Sequence, residues 1–273
     1  MTTTPAPTAS AVEWATRTVE VCGHPITVRA AGSGSPLFVL PRDNGHPPHH
    51  EFLDLLAANF RIYEPWLPGF HGSTPEEWEW LANVRDLAVV CRQLLSTLGM
   101  DRCSAVGLGF GGWLLAEMAT MGPERFDAIT LIGPMGIQPR REYILDQFLI
   151  STESYARSAY AEQTAFEAVY TAEPAFDQLE SWETDREMTS RIAWKPYMYN
   201  PSLPGLLRGV PTPALIVHGS ADRIVPLECA ELYRAALPNA SVELFANAGH
   251  AVELEQPAAV AATVANFMRT ARS

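Results

Sequence analysis

Cysteine is scarce in this chain of 273 residues. Cys22, Cys91, Cys103 and Cys229 lie far apart and form no CxxC pair. That excludes paired-cysteine metal spacing and argues against a disulfide framework. Basic residues are few as well: 19 Lys plus Arg stand against 31 Asp plus Glu, a formal net charge of −12. Nucleic acid and membrane surfaces are therefore not expected as partners. No apolar run approaches the ~20 residues needed to span a bilayer. The opening stretch MTTTPAPTASAVEW lacks both a basic start and an apolar run, so it reads as a loose polar arm and not as a signal peptide. The expected setting is cytoplasmic and reducing. Internal repeats and low-complexity tracts are missing too.

What is present is an ordinary globular composition, 47% hydrophobic and 18% charged, long enough for one large domain or a domain with an insertion. Short apolar runs alternate with helical patterns, the signature of a largely parallel sheet with helices on both faces. TRTVEVCG and HPITVRAAGSG read as two antiparallel strands joined at Gly23-His24, and PLFVL as a buried strand. HHEFLDLLAA has helical spacing with Phe52, Leu55 and Leu56 on one face. FRIYEP follows as a strand, and WLANVRDLAVVCRQLLSTLGM as a long helix ended by Gly99. Later come the strand AITLIG, the strand ALIVHG, the helix LECAELYRAAL, the strand SVELFA and the helix PAAVAATVANFMRT. Residues 138–207 break the rhythm. They hold six of the eight tyrosines with Trp182 and Trp194, and helical patterns without a buried-strand run. An inserted helical cap over 138–207 is expected, with the core formed by 1–137 and 208–273. Its aromatics either line a ligand crevice at the carboxyl edge of the sheet or only pack the cap.

The stretch CSAVGLGFGGWLLAEMA, Cys103 to Ala119, has the outline of a strand, a glycine-dense turn and a helix. Together with EPWLPGFHGSTP (64–75), LIVHGSADRIVP (215–226) and NAGHAVELEQP (247–257), the segment VGLGFGG (106–112) resembles the α/β-hydrolase superfamily of capped, cofactor-free enzymes. The resemblance covers nearly the whole chain apart from the N-terminal arm and most of the cap. It implies an eight-stranded, mostly parallel sheet flanked by helices, and no cofactor. It makes 106–112 the counterpart of the nucleophile elbow, the acid-bearing loop the home of Asp222, and the last segment the source of His250.

Two departures stand out. Gly109 occupies the position of the nucleophile and carries no heteroatom, so nucleophilic attack by this residue is excluded by composition. Ser104 and Cys103 lie inside the strand, where neither reaches the tip of the turn. The family's His-Gly pair after the third strand is replaced by Pro41 and Arg42, followed by Asp43. The N–H groups of Phe110 and Asp43 are the candidate oxyanion donors. Arg42 either anchors an anionic group or forms a solvent-facing pair with Asp43. The acid and base remain: Asp222 is expected to fix the tautomer of His250, whose other nitrogen faces the pocket. His46, His49 and His50 resemble a metal cluster in spacing, but Pro47 and Pro48 disfavour a shared face, and no metal is expected. His49 and His50 read as the start of a helix, His71 as a rim residue, and His218 as bonded to a backbone partner. Gly107, Gly109 and Gly112 match part of a dinucleotide fingerprint, a coincidence in view of the wider resemblance.

Three functions follow. The first is general acid/base chemistry by His250 and Asp222 on a small organic carbonyl or hydroxyl compound: lyase, cyclase, isomerase, cofactor-free oxygenation or hydrolysis by water. The second is a ligand-binding protein without turnover. The third is a serine hydrolase carrying a serine-to-glycine change, disfavoured because the His-Gly pair is altered as well. A small-molecule substrate is expected, and a homodimer is left open.

Overall fold

The computed structural model describes residues 12–70 and 72–271. Most of the arm, and His71, fall outside them. Eight strands form one sheet: β1 (Ala15–Val21), β2 (His24–Ala31), β3 (Ser35–Leu40), β4 (Phe60–Pro65), β5 (Cys103–Leu108), β6 (Phe126–Ile132), β7 (Ala214–Gly219) and β8 (Ala240–Phe245). Their order is β1-β2-β4-β3-β5-β6-β7-β8. β1 and β2 pair antiparallel, β2 meets β4 antiparallel, and every later pairing is parallel. The inner strands β5 and β7 are buried along their whole length, as expected for strands covered by helices on both faces.

The helices of the core are α1 (Glu51–Ala57), α2 (Val84–Thr97) and α3 (Phe110–Met121). Between β6 and β7 the described chain forms no strand beyond two isolated bridges, and its helices are α4 (Thr152–Ser158), α5 (Gln163–Tyr170), α6 (Phe176–Ala193) and α7 (Leu203–Leu207), with a short 3-10 turn at Gln147–Leu149. The core then closes with α8 (Glu228–Ala236), α9 (Val252–Glu255) and α10 (Pro257–Thr270). No described helix is long and apolar enough to cross a membrane. Apolar side chains fill both faces of the sheet. Phe38, Leu114 and Tyr233 belong to the larger cluster, while Leu37, Val217 and Val264 belong to the smaller one.

Local details depart from the sequence reading for identifiable reasons. The first hairpin turns on Cys22 and Gly23, both at positive φ (56° and 81°), and His24 already pairs with Val21. Two successive left-handed residues give the turn a twist that matches the strands. α1 buries Leu53 in place of the expected Leu55, which is exposed. α2 begins only at Val84, because the Asn83 side chain accepts the N–H of Asp86 and caps it there. It ends as expected: Gly99 lies at φ 73°, and the N–H of Met100 reaches back to Leu95. Trp14, the last residue of the presumed arm, is docked instead, donating its indole N–H to Asp54 under the Arg29 guanidinium.

Parallel pairing directs the ends of β3, β5, β6, β7 and β8 to one edge. The loops leaving them carry Arg42 and Asp43, Gly109, Gly133, Asp222 and His250 respectively. The tight union of β5 and α3 needs small residues. A Cβ at Gly111 would stand 2.3 Å from the carbonyl of Leu40, and one at Gly107 would stand 2.3 Å from that of Gly111. Backbone cannot yield at such distances.

Candidate functional site

Gly109 sits between β5 and α3 with φ 52° and ψ −111°, a conformation that a residue with a Cβ adopts only under strain. Its N–H donates to Ile132, and its carbonyl accepts from Gly112, Trp113 and Met135. The turn is thus pinned to β6 as well as to its own helix. A side chain beginning at residue 109 would meet His250 Nε2 at 2.8 Å and Arg42 Nη1 at 3.0 Å. Both nitrogens are buried and lack a hydrogen-bond partner. Two orphaned polar atoms therefore converge on one face of one glycine, where such atoms are ordinarily satisfied.

The imidazole of His250 is held from three sides. Nδ1 lies 2.8 Å from Asp222 Oδ2, and the ring lies between Gly109 and Gly133, where a Cβ at residue 133 would come within 3.0 Å of Nδ1. Asp222 is in turn fixed by the N–H groups of Ile224 and Val225, both 2.8 Å from Oδ1. Burial works against the Asp222 charge, yet His250 beside it, His218 and these N–H donors hold its carboxyl below the ordinary value. His218 bonds the Val225 carbonyl at 3.1 Å, the expected backbone partner, and also stands 3.3 Å from Asp222 Oδ2. Burial pushes its pKa down despite that carboxylate.

Arg42 and Asp43 are both buried and do not pair with each other as a solvent-facing couple. The fork of Arg42 closes on Glu253, Nε at 3.1 Å and Nη2 at 2.6 Å, and Nη2 also donates to the carbonyl of His250. Burial opposes both charges. Each partner offsets that loss for the other, so Glu253 falls below its ordinary range and Arg42 rises above its own. Asp43 accepts from Tyr155 Oη at 2.8 Å and from Gln147 Nε2 at 3.2 Å, which ties the β3 loop to the helical insert. Phe110 is fully buried, its ring against Phe70 and Trp113. Glu253, Gly133 and Gln147 were not singled out by the sequence, and Tyr155 only as one of the six tyrosines of 138–207, although Glu253 follows His250 by only three positions.

The other expected participants disperse. His46 pairs with Glu64 at 3.0 Å, His49 faces Asp54 at 3.8 Å, and His50 precedes α1 at its capping position. Of the insert aromatics, Tyr155, Tyr160, Tyr170 and Trp182 are buried, whereas Tyr143 and Trp194 are exposed. A narrow chamber beside Arg42 is lined by His50, Glu64 and Glu253 together with Leu108, Tyr160 and Tyr170.

That chamber sets a pH dependence. Burial pushes the His50 pKa from 6.5 down to about 4. The unfolded chain then binds more protons between these values, so stability present at pH 7 is lost as pH falls through that window, by about 3 kcal/mol. Glu64, held near 2 by His46 and Arg29 against the cost of its burial, adds a further loss below ~4.5. Urea unfolding from pH 7 to pH 4 should show the slope, and His50→Gln should flatten it. Equal slopes in both proteins would refute the assignment.

Residues 30–263 match the model of the alpha/beta hydrolase family. Among curated proteins, 2-hydroxymuconate semialdehyde hydrolase of Pseudomonas putida is 25% identical over 207 residues, which is 65% of this chain and 66% of that hydrolase. Among solved structures, a membrane phospholipase A described as a bacterial virulence factor superposes with a TM-score of 0.78 at 18% identity, covering 95% of this chain and 87% of the other. A serine-to-alanine mutant of the meta-cleavage product hydrolase from Pseudomonas fluorescens, complexed with acetates, gives 0.76 at 19% identity, covering 93% and 98%. The strand order, the loops gathered at one edge and the match over most of the sequence agree, and this chain belongs to the alpha/beta hydrolase family.

Proposed function

We propose that this protein is an enzyme that performs general acid/base chemistry with His250 and Asp222, without a covalent intermediate, on a small organic compound bearing a carbonyl or a hydroxyl. The observation that carries this reading is the aim of the imidazole. Nδ1 is committed to Asp222, and unpartnered Nε2 faces the turn where Gly109 supplies no attacking atom. A carboxylate on Nδ1 selects the tautomer with its lone pair on Nε2, the form that accepts a proton. In this reading residues 138–207 are the cap over the site, and the N–H of Phe110 is an oxyanion donor. Asp43 fastens the cap through Tyr155 and Gln147. The substrate class agrees with relatives named as 2-hydroxymuconate semialdehyde and 2-hydroxy-6-oxo-2,4-heptadienoate hydrolases. Those two compounds are the first to offer, with consumption by wild type compared against His250→Ala. Equal rates would end the proposal.

The close approach at residue 109 also speaks against a serine lost from an otherwise ready site. A Cβ there crowds Nε2 and Nη1; φ 52° does not discriminate, since a nucleophile elbow holds its serine in a strained turn as well. Gly109→Ser is therefore expected to fold with a displaced His250 and to resist labelling by a fluorophosphonate. Rapid labelling, read by intact mass, would revive the serine-hydrolase reading.

A further inference from the structure

We infer that Arg42 is a catalytic residue whose Nη1 donates a hydrogen bond to the oxygen anion formed when His250 takes the proton of a weakly acidic substrate hydroxyl, of enol or phenol type. This rests on the reading of His250 as a base. It adds a second participant and a substrate class.

The guanidinium is built for one task. Nε and Nη2 are consumed by Glu253 and by the His250 carbonyl, while Nη1 alone is buried without a partner. The same nitrogen points to the face of Gly109 that His250 Nε2 addresses. An arginine needed only to neutralise Glu253 would have no reason to leave a buried N–H unsatisfied there. A planar fork clamped on one edge keeps the remaining N–H in place at little further entropy cost.

The surrounding charges decide the form in which substrate arrives. Asp222 faces Nδ1 of His250 with His218 beside it, Glu253 faces the clamped edge of Arg42, and Asp43 is held by Tyr155 and Gln147. A preformed oxyanion at this spot would sit among three carboxylates that outnumber the one arginine, so the hydroxyl that meets Nε2 is taken up protonated, whatever charge the rest of the substrate carries. A neutral hydroxyl brings no charge. Its O–H bond then breaks, an Nε2–H bond forms on His250, and the electron pair stays on oxygen. The charge of the site is unchanged, and the new anion lies between Nη1–H and the imidazolium. Donors placed where charge develops typically contribute about 10²–10³ in rate.

4-Nitrophenol tests this without turnover, because its phenolate absorbs in the visible. At a pH below its own midpoint, the wild type should bind it with an ionised fraction about tenfold above that in water, a factor that corresponds to one pKa unit. His250→Ala should bind it without the visible band. Arg42→Gln combined with Glu253→Gln, which removes the cation and its counter-ion together, should lose most of the band. It should still bind 4-nitroanisole, the ether that has no proton to give, as the wild type does. Should thermal melts show that double variant unfolded, Arg42→Lys serves instead, since a single ammonium cannot both hold Glu253 and reach the turn. Failure of the wild type to bind 4-nitrophenol, binding only as the neutral phenol, or a band untouched by loss of Arg42 each overturns the inference. Turnover that needs His250 but not Arg42 would sink it alone, and equal turnover in wild type and His250→Ala would sink the proposed function.

Discussion

Glu253→Ala is expected to lower the melting temperature by roughly 10 °C. Arg42 would then be a buried cation without its carboxylate, and breaking one half of such a pair costs about 3–5 kcal/mol. In a chain of this size each kcal/mol moves the midpoint by roughly 2–4 °C. The loss arises from desolvation left without compensation, since Glu253 is fully buried and Arg42 nearly so. It does not arise from any exceptional strength of the pair. The decisive comparison is therefore Arg42→Met with Glu253→Leu, which removes both charges and keeps apolar volume. That double variant should recover most of the stability lost by Glu253→Ala, because replacing a whole buried pair by apolar groups is often neutral. Calorimetry of the two singles and the double gives the coupling. Additive losses, or a drop of only a degree or two for Glu253→Ala, would show the pair to be hydrated and would remove the rigidity on which the proposed role of Arg42 depends.

The contrast between Asp222 and Glu253 shows where sequence reading succeeds and where it stops. That Asp222 and His250 would meet was legible because each follows a short apolar strand in a loop of recognisable pattern, and parallel strands deliver such loops to a common edge. β7 and α10 were legible for a similar reason: ALIVHG is a continuous apolar run, and PAAVAATVANFMRT has helical period with proline at its start. Glu253 sits in VELE, where apolar and acidic residues alternate and nothing local says which acid is buried. Its burial is set by Arg42, 211 positions away. Asp43 meets Tyr155 and Gln147 at separations of 112 and 104, and no local period encodes those meetings. Leu55 failed on a smaller scale. Leu53 and Leu55 fit helical spacing equally well, and the packing of α1 against α10 and β4, invisible in seven residues, chose Leu53. The sequence pair Arg42-Asp43 misleads in the same way, since neighbours along the chain turn to opposite partners once both are buried.

Turnover should fall about 10²–10⁴-fold in His250→Ala, the range of general acid/base help, and Asp222→Asn should match it for a different reason. Asp222 keeps Oδ1 for the N–H groups of Ile224 and Val225 and turns Oδ2 to His250. An asparagine that preserves those two backbone bonds must place its amide nitrogen toward the imidazole. The ring then accepts at Nδ1 and carries its proton on Nε2, so the base is present, correctly placed and already protonated. His250→Ala removes the ring, whereas Asp222→Asn retains it in the wrong tautomer, and the two are told apart without kinetics. Nitrogen-15 shifts of His250 should report Nδ1–H in the wild type and Nε2–H in Asp222→Asn, with the ring still between Gly109 and Gly133. His218 is a second reporter: its Nε2 stands 3.3 Å from Asp222 Oδ2 but also bonds the Val225 carbonyl, which only accepts and should keep the proton on that nitrogen. Inversion at His250 with full turnover would mean that Nε2 never receives a proton from substrate, and the acid/base account would fall even if the fold and the pairing were intact.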